Sequence, residues 1–409
     1  MRDARGTIVI LSQVFVPDPA AAGQHLADVA RELVRRGWRV RVLTAARGYD
    51  DPTARYPSHE VLDGVEVQRL SLSSFGKGSL RARLAGGALF TAQALVRALA
   101  VPGLRGVLVS TSPPFCGAAG AMLSVLRRAP LKYWLMDLNP DQAVALGLMD
   151  EHSLPVRLFD ALNTFTLRRA ADVVLMDRFM RDRVARKHAV DGRFTILPPW
   201  PMHPPAANLP HADNPFRARE GLQGKFVVMY SGNHGPAHPL TTVLDAAARL
   251  AEDSRFVFLF VGGGTGKHEV EERIRRGARN VRSLPFQPLG DLRASLSAAD
   301  VHVVSMAAGV VGLVHPSKAY GAMAVSRPLL VLGPAPNPVA DLMDAHGMGR
   351  RVEHGDVDGA VAALRELADL PEAQRAELGA RAAALVAGEL GREALCARFC
   401  DVVERGLVR

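Results

Sequence analysis

Short apolar segments, each followed by a Gly- or Pro-containing turn and an amphipathic helix, recur along this chain and constrain its fold most strongly. The first such group runs from "TIVILSQVF" (7–15) through "HLADVARELVRRG" (25–37) to "WRVRVLTA" (38–45). Apolar residues of the helical segment, such as Leu26 and Leu33, share one face at the 3.6-residue period. Strand, helix and strand in this order predict a βαβ unit, and therefore an α/β fold with parallel sheets.

The same alternation occurs on both sides of a Pro-rich segment, which indicates two domains. Further strands of the first half are predicted at 65–70, 106–110, 132–136, 172–176 and 194–197. Residues 198–217 are rich in Pro, Asn and His, as connectors are, and a second series then begins with "KFVVMYSG" (225–232). We predict two doubly wound, Rossmann-like domains at 1–203 and 218–391, with a linker at 204–217. A C-terminal helix at about 392–409 is of a kind that crosses back onto the first domain.

The net charge indicates the class of partner, and the cysteine content indicates the redox environment in which we expect the protein. The net charge of +9 favours an anionic partner, such as nucleic acid, a phosphorylated small molecule or an anionic membrane surface. The basic residues are spread along the chain and no recognition motif is visible, which argues against nucleic acid. Cys116, Cys396 and Cys400 form no paired framework, and no signal peptide is visible, so we expect a cytoplasmic protein with reduced thiols.

One apolar helical stretch suggests contact with a membrane surface. Residues 79–105 form this stretch, and its edges carry Arg81, Arg83, Arg97 and Arg105. Such a segment either lies on an anionic bilayer, here the inner face of the cytoplasmic membrane, or is a core helix with solvated arginines.

Ligands of open parallel sheets bind at the carboxyl ends of strands, so the turns there are the candidate sites. In "YSGNHGPAH" (230–238), Gly232 allows close approach of a ligand to the backbone. Hydrogen-bond donors to an anion in this turn are Asn233, His234 and His238. The alternative is an ordinary strand-to-helix loop.

Two further turns of the second domain are weaker candidates. Gly263 lies in "VGGGTGK" (261–267), which is either a ligand-contacting loop or a tight turn. Phe286 in "LPFQP" (284–288) either lies against a nucleotide base or packs in the protein.

The segment "GLVHPSKAYGAMAVSRP" (312–328) has the pattern of a helix start. Ser317 either caps the helix or binds a phosphate oxygen, and Lys318 adds a positive charge beside the free N–H groups of the first turn. Backbone available to a bulky ligand precedes it at Gly312, Leu313 and Val314.

In the first domain, Gly23 is predicted in the turn after the first strand. Asp137, in "WLMDLNPDQA" (134–143), either orients a hydroxyl or acts as a base, or is an ordinary turn residue before Pro140. Asp177 is predicted to cap a helix.

The order of these motifs resembles the family-4 glycosyltransferases of the GT-B fold, in the bacterial branch that builds cell-surface polysaccharides. The resemblance rests on "YSGNHGPAH", "VGGG", "AADVHVVS" and "GLVHPSKAYGAMAVSRP", and is strongest in 225–335. It implies two Rossmann-like domains facing across a cleft, the second binding a nucleotide-sugar and the first an acceptor. It also implies retention of anomeric configuration, and neither a metal nor another cofactor.

The family's glutamate pair would fall near Gly309 and Gly321, where this chain has no acid. Its usual cations after the first glycine would fall near Asn233 and His238. Ser317 and Lys318 become the candidates for the diphosphate. The catalytic candidates are Asp137, Lys318 and His238, and the donor-site candidates are Gly23, Gly232, Asn233, His238, Gly263, Phe286, Gly312, Leu313, Val314, Ser317 and Lys318.

The expected activity is transfer of a sugar from a nucleotide-sugar, a UDP-sugar, to a hydroxyl of a glycan or lipid-linked acceptor. Two alternatives remain open: a sugar-nucleotide epimerase of the same fold, and an inactive relative that only binds nucleotide-sugar.

Overall fold

A computed structural model describes residues 5–48, 51, 53–72, 80–190, 193–202 and 209–407, with the side chains of 80–84 left out. The chain divides into two compact units. Unit 1 comprises Met1–Met202 together with Glu393–Arg409, and unit 2 comprises His203–Arg392.

Unit 1 is built on an eight-stranded sheet with helices between the strands. Its elements are β1 (Thr7–Leu11), α1 (Ala21–Arg35), β2 (Arg39–Ala45), β3 (His59–Leu62), β4 (Val65–Leu70), α2 (Leu80–Leu99), β5 (Leu104–Ser110), α3 (Cys116–Arg127), β6 (Leu131–Leu135), α4 (Asp141–Ala145), α5 (Leu154–Arg169), β7 (Ala170–Leu175), α6 (Arg178–His188) and β8 (Phe194–Ile196). The strand order is β3-β4-β2-β1-β5-β6-β7-β8. Asp177 caps α6 as predicted, because its carboxylate accepts a hydrogen bond of 2.8 Å from the Met180 N–H.

All strands of unit 1 are parallel except β3, which the sequence analysis did not predict. β3 pairs antiparallel with β4 across a turn at Asp63 and Gly64, whose φ angles are 51° and 83°. An Asp-Gly pair with two positive φ angles is the signature of a tight hairpin turn.

Unit 2 contains a six-stranded parallel sheet. Its elements are α7 (Pro215–Arg219), β9 (Phe226–Asn233), α8 (Thr241–Arg249), β10 (Phe256–Gly263), α9 (Lys267–Arg275), β11 (Val281–Leu284), α10 (Leu292–Ser297), β12 (Val301–Ser305), α11 (Lys318–Ala324), β13 (Leu329–Leu332), α12 (Pro338–His346), β14 (Gly349–Val352), α13 (Val357–Asp369) and α14 (Glu372–Ala387). In the strand order β11-β10-β9-β12-β13-β14, the chain first adds strands on one side of β9 and then, from β12, on the other side. The order of connection thus reverses between β9 and β12, although all strands stay parallel. Such a reversal is where ligands bind in open α/β sheets.

The end of the predicted linker is a folded part of unit 2. Asn214 caps α7, and the buried guanidinium of Arg217 pairs with Asp300 at 3.2 Å. Residues 203–208 lie outside the described part of the chain.

The last helix, α15 (Arg392–Glu404), packs within unit 1. Phe399 makes a T-shaped contact with Trp134, with ring centroids 5.2 Å apart. The Glu404 carboxylate accepts hydrogen bonds from Trp38 and Arg36. Apolar contacts and partly buried ion pairs therefore hold the C-terminal helix to the first sheet domain.

The apolar stretch 79–105 is not one helix. α2 ends at Leu99, and Arg105 already belongs to β5. The side chains of Arg81 and Arg83 lie outside the described residues. Within the described ranges, no helix is long and apolar enough to cross a bilayer.

Candidate functional site

The carboxyl ends of β9 and β10 are paired in unit 2 and leave no room for a side chain between them. The two strands stay paired to their last residues, Gly262 opposite Gly232 and Gly263 opposite Asn233. A Cβ on Gly262 would lie 2.0 Å from the Gly232 carbonyl oxygen, and the φ of Gly262 is +134°. Only glycine satisfies both conditions, so the sequence "VGGG" serves this close approach.

Lys318, the first residue of α11, extends across the end of β9. Its Nζ donates a hydrogen bond of 2.8 Å to the Tyr230 hydroxyl and lies 4.7 Å from the centre of that ring. A Cβ on Gly232 would lie 3.2 Å from the Lys318 Cε. The space beside Gly232, where the close approach of a ligand was predicted, is therefore occupied by the side chain of Lys318.

The charge of Lys318 has no counterion within unit 2's described residues. No carboxylate there lies within ion-pair distance of its Nζ, although the ammonium is half-buried. Desolvation lowers the pKa of Lys318 to about 7, because the surroundings favour the neutral amine. An anion bound at this point would supply the missing charge.

His238 lies beside this lysine but cannot play the predicted role of anion donor. Its Nδ1 lies 2.7 Å from the Ser305 carbonyl oxygen, which can only accept, so the proton is on Nδ1. Desolvation, with the nearby Lys318 charge, lowers the pKa of His238 to about 3. The neutral ring therefore presents Nε2 as an acceptor, which corrects the expectation from sequence.

His234 and Asn233 connect the two glycine loops. The buried His234 donates its backbone N–H to the Gly263 carbonyl at 2.7 Å. The Asn233 side chain is exposed, and a Cβ on Gly264 would lie 2.4 Å from its Oδ1. Of these two residues, only Asn233 is accessible to a ligand.

Phe286 follows β11 and lies on the glycines at the end of β10. Its side chain is 59% exposed. A Cβ on Gly262 or Gly263 would lie 3.3 or 3.2 Å from the ring. One part of the ring thus covers bare backbone, while the rest is free to contact a flat group.

The loop before α11 does not leave the backbone of Leu313 and Val314 open to a ligand, contrary to what the sequence suggested. The N–H groups of Leu313 and Val314 both donate to the Val310 carbonyl, at 2.9 and 3.3 Å, and both side chains are buried. Gly312, with φ +75°, closes this turn. The physical reason is local: the turn satisfies its own donors, so Leu313 and Val314 face the interior.

Ser317 is exposed, and its hydroxyl makes no capping hydrogen bond. α11 has only seven residues, so its dipole is small, and Lys318 supplies most of the positive charge. Gly309 is exposed in a 3₁₀ turn, and Gly321 lies inside α11 facing Leu296.

Asp137 and Gly23 belong to unit 1. Asp137 follows β6. Desolvation by the surrounding protein raises the pKa of its carboxyl to about 6. The side chain is nevertheless exposed, and contact with water limits this rise. Gly23 is not in the turn after β1 but inside α1, where a Cβ would lie 3.0 Å from the Phe15 backbone. Its small size serves helix packing.

Among the described residues, no three His, Cys, Asp or Glu side chains are grouped so that they could hold a metal ion. Sequence reasoning missed Tyr230, the hydrogen-bond partner of Lys318. The available signal was an aromatic residue two positions before the glycine that ends a buried strand.

Two family models match consecutive parts of the chain. The model for the glycosyl transferase 4-like domain matches residues 21–200, and the model for glycosyl transferases group 1 matches residues 225–369.

Two curated bacterial proteins are similar in sequence. WcaI of Escherichia coli K12, named as a colanic acid biosynthesis glycosyl transferase, is 25% identical over 380 residues, covering 89% of this chain and 93% of that protein. WbjE of Pseudomonas aeruginosa, named as a glycosyltransferase, is 27% identical over 239 residues; the match covers 57% of this chain and only 58% of WbjE.

The fold is shared with solved glycosyltransferase structures. Anabaena HepE, solved in complex with UDP-glucose, superposes with a TM-score of 0.71 at 15% identity, covering 98% of this chain and all of that one. The two parallel-sheet units, the two family matches and this superposition agree, and the chain belongs to the family-4 glycosyltransferases of the GT-B fold.

Proposed function

We propose that this protein is a retaining, metal-independent glycosyltransferase that moves a sugar from a UDP-sugar to an acceptor hydroxyl in bacterial surface polysaccharide synthesis. The observation that carries the proposal is Lys318, a half-buried cation with no carboxylate partner in the described part of unit 2. The name of WcaI supports the polysaccharide role, and the UDP-glucose complex of HepE supports the donor.

The donor is expected to lie over the ends of β9 and β10. Lys318 would bind the diphosphate, with the exposed Ser317 hydroxyl and Asn233 amide as further polar contacts. Phe286 would contact the base with its exposed side. A fixed cation beside the diphosphate stabilises the negative charge that develops as the leaving group departs, which is the task a metal performs in other transferases.

In the proposed reaction the acceptor oxygen attacks the anomeric carbon on the face from which the diphosphate leaves. The new C–O bond forms as the bond to the diphosphate breaks, and the hydroxyl proton passes to a phosphate oxygen of the departing UDP. The products are the glycoside, with retained configuration, and UDP. Asp137 is assigned to orient the acceptor hydroxyl, because its ionised carboxylate can accept that hydrogen bond.

Thermal unfolding with a panel of nucleotide-sugars tests this function. A UDP-sugar at 100 times its Kd should raise the Tm by about 5–10 °C, because it binds only the folded protein. Lys318→Met should abolish this shift. Lys225→Met is the matched control, because Lys225 immediately precedes β9 and bonds the Ser254 carbonyl, far along the strand from Lys318.

If none of the UDP-sugars raises the Tm, the donor assignment is contradicted. A shift without transfer of labelled sugar to a bacterial lipid extract or to soluble glycans would favour the inactive relative. Conversion of the UDP-sugar alone into its epimer would favour the epimerase. The anomeric configuration of the product, read by NMR, tests retention.

A further inference from the structure

The segment between β2 and β3, residues 46–58, folds back on itself as a narrow ribbon with two arginines opposite each other. Arg47 and Arg55 form an antiparallel bridge. The backbone hydrogen bonds that hold this bridge, both 3.0 Å long, join the residues on either side of each arginine and not the arginines to each other. In a bridge of this kind the side chains of the opposed residues lie closest together. We call these two residues the arginine pair.

The arginine pair has no carboxylate partner in the part of the chain that the structure describes. Arg55 is exposed and Arg47 is half-buried, and no ion pair or side-chain hydrogen bond joins either of them to another described residue. The described acid nearest in sequence is Asp51, whose carboxylate accepts from the Thr53 N–H and hydroxyl at 2.9 and 2.6 Å. Like charges placed directly opposite each other destabilise a bridge. The fold therefore creates a local excess of positive charge here.

The other side of the ribbon faces the protein, which leaves the arginine pair on the outer side. Side chains alternate along a strand, so Tyr56 points away from the side that carries Arg55. The centre of the Tyr56 ring lies 5.4 Å from the guanidinium carbon of the buried Arg69. Gly48 is also on this inner side and is buried, and a Cβ there would lie 2.4 Å from the Asp51 carbonyl oxygen. The inner side is thus closely packed.

Both strands of the ribbon are fixed to the sheet of unit 1. The Arg69 guanidinium donates to the Pro57 carbonyl at 3.1 Å, and its charge is balanced by Glu60. The Ala46 N–H donates to the Leu70 carbonyl of β4 at 3.0 Å. Arg69 therefore holds the ribbon in place, while the arginine pair is presented on a fixed frame. A fixed frame lowers the ordering cost of binding a ligand.

The arginine pair lies at the edge of the sheet where the acceptor is expected. Arg47 comes two residues after the end of β2, and Asp137 comes two residues after the end of β6. The strands from β2 to β6 are parallel in the order β2-β1-β5-β6, so both residues follow carboxyl ends. Three strand spacings, about 14 Å, separate these two strand ends. The two positions can therefore contact different parts of one extended acceptor.

We propose that the arginine pair binds a phosphate or diphosphate group of the acceptor. Each guanidinium supplies one positive charge and forked N–H donors that match phosphate oxygens. A phosphate monoester carries a charge of about −1.5 to −2 at neutral pH and so balances both arginines, whereas a carboxylate would balance only one. That the phosphate belongs to the acceptor rests on the proposed function, whereas phosphate binding by the pair does not.

Isothermal titration with sodium pyrophosphate tests the binding site directly. The titration uses the Lys318→Met protein, because pyrophosphate would otherwise also bind at the lysine proposed for the donor diphosphate. This protein should bind pyrophosphate, and adding Arg47→Gln with Arg55→Gln should weaken binding at least about tenfold. The matched control adds Arg128→Gln with Arg168→Gln, which removes the same charge from exposed positions just before β6 and β7, at the opposite edge of the sheet. Absence of pyrophosphate binding, or equal losses in the pair and control variants, would overturn the inference.

The transfer assay decides whether the phosphate belongs to the acceptor. Arg47→Gln with Arg55→Gln should raise the KM for the acceptor at least about tenfold and leave the KM for the UDP-sugar unchanged. Removal of the acceptor's phosphate groups with a phosphatase should raise the wild-type KM to a similar extent and have no further effect on the variant. An unchanged acceptor KM, or a raised KM for the UDP-sugar, would overturn the acceptor assignment.

The two proposals can fail separately. The Tm shift with UDP-sugar should be the same in the wild type and in the Arg47→Gln, Arg55→Gln variant, because the pair is not assigned to the donor. Pyrophosphate binding by the Lys318→Met protein requires neither donor nor acceptor. A failed phosphate site is therefore distinguishable from a failed transferase assignment.

Discussion

Desolvation lowers the pKa of one lysine in each unit, Lys132 and Lys318, and the surroundings of these two side chains are opposite. Lys132 in β6 donates to the Asp172 carboxylate at 2.5 Å and to the Arg405 carbonyl at 2.6 Å. Within the part of the chain that the structure describes, Lys318 in unit 2 donates only to the neutral Tyr230 hydroxyl. Desolvation lowers the pKa of both, but for Lys132 the Asp172 charge opposes the effect.

The difference separates a structural cation from a binding cation. The charge of Lys132 is balanced inside the protein and helps to attach α15, because Arg405 immediately follows the last residue of that helix. No carboxylate among the described residues balances the charge of Lys318, so a ligand phosphate can supply the missing negative charge. The two lysines therefore should respond in opposite ways to substitution.

The largest expected effect is on stability. Lys132→Met should lower the free energy of unfolding of unit 1 by about 3 kcal/mol. This value is at the lower end of the range for a broken buried ion pair, because Arg405 still contacts the Asp172 carboxylate. Lys318→Met should leave the stability equal or higher, because it removes a desolvated charge without a partner. Denaturant midpoints measure both, and a destabilised Lys318→Met protein would break the comparison. Adding Asp172→Asn to Lys132→Met should recover part of the loss.

The next effect is on pH dependence. Lys318 is charged below its pKa of about 7 and neutral above it, whereas bound diphosphate would keep it charged. Donor binding should therefore be independent of pH below 7 and weaken by up to about tenfold per pH unit above it. Isothermal titration between pH 6 and 9 measures this. A flat profile in the wild type would contradict the assignment, while Lys318→Arg, whose guanidinium stays charged over this range, is the control expected to be flat.

The smallest effect is expected for Tyr230→Phe. The phenol hydroxyl accepts from Lys318 and donates to the Asn233 carbonyl at 2.6 Å. Its loss should cost about 1 kcal/mol of stability and reduce donor affinity a few-fold, because the ammonium loses its positioning contact but keeps its charge. A loss of donor affinity as large as that of Lys318→Met would show that the hydroxyl, not the ammonium, dominates the site.

Much of the scaffold could be predicted from the sequence because it depends on local patterns. Apolar strands followed by amphipathic helices gave the two parallel sheets, with strand positions within a few residues of β5, β6 and β7. Asp177 was predicted as a cap because capping involves residues three positions apart. The hairpin that forms β3 was missed, although its Asp-Gly turn was visible.

The site was predicted less well because its contacts join distant parts of the chain. Lys318 and Tyr230 are 88 positions apart, and nothing in either segment shows that they meet. The roles proposed for His238, Leu313 and Val314 failed at a finer level, since a ring nitrogen or a backbone N–H already bonded to a carbonyl is not free for a ligand.

The sequence by itself determined that this protein has two α/β domains, which residues end the strands of the second, and that its lysines are few, six among 50 basic residues. Only the tertiary structure decided that Lys132 has a carboxylate partner whereas Lys318 has none among the described residues. The reason is physical: periodicity and turns are set by neighbours in sequence, whereas desolvation, charge balance and exposure are set by whatever the fold brings alongside.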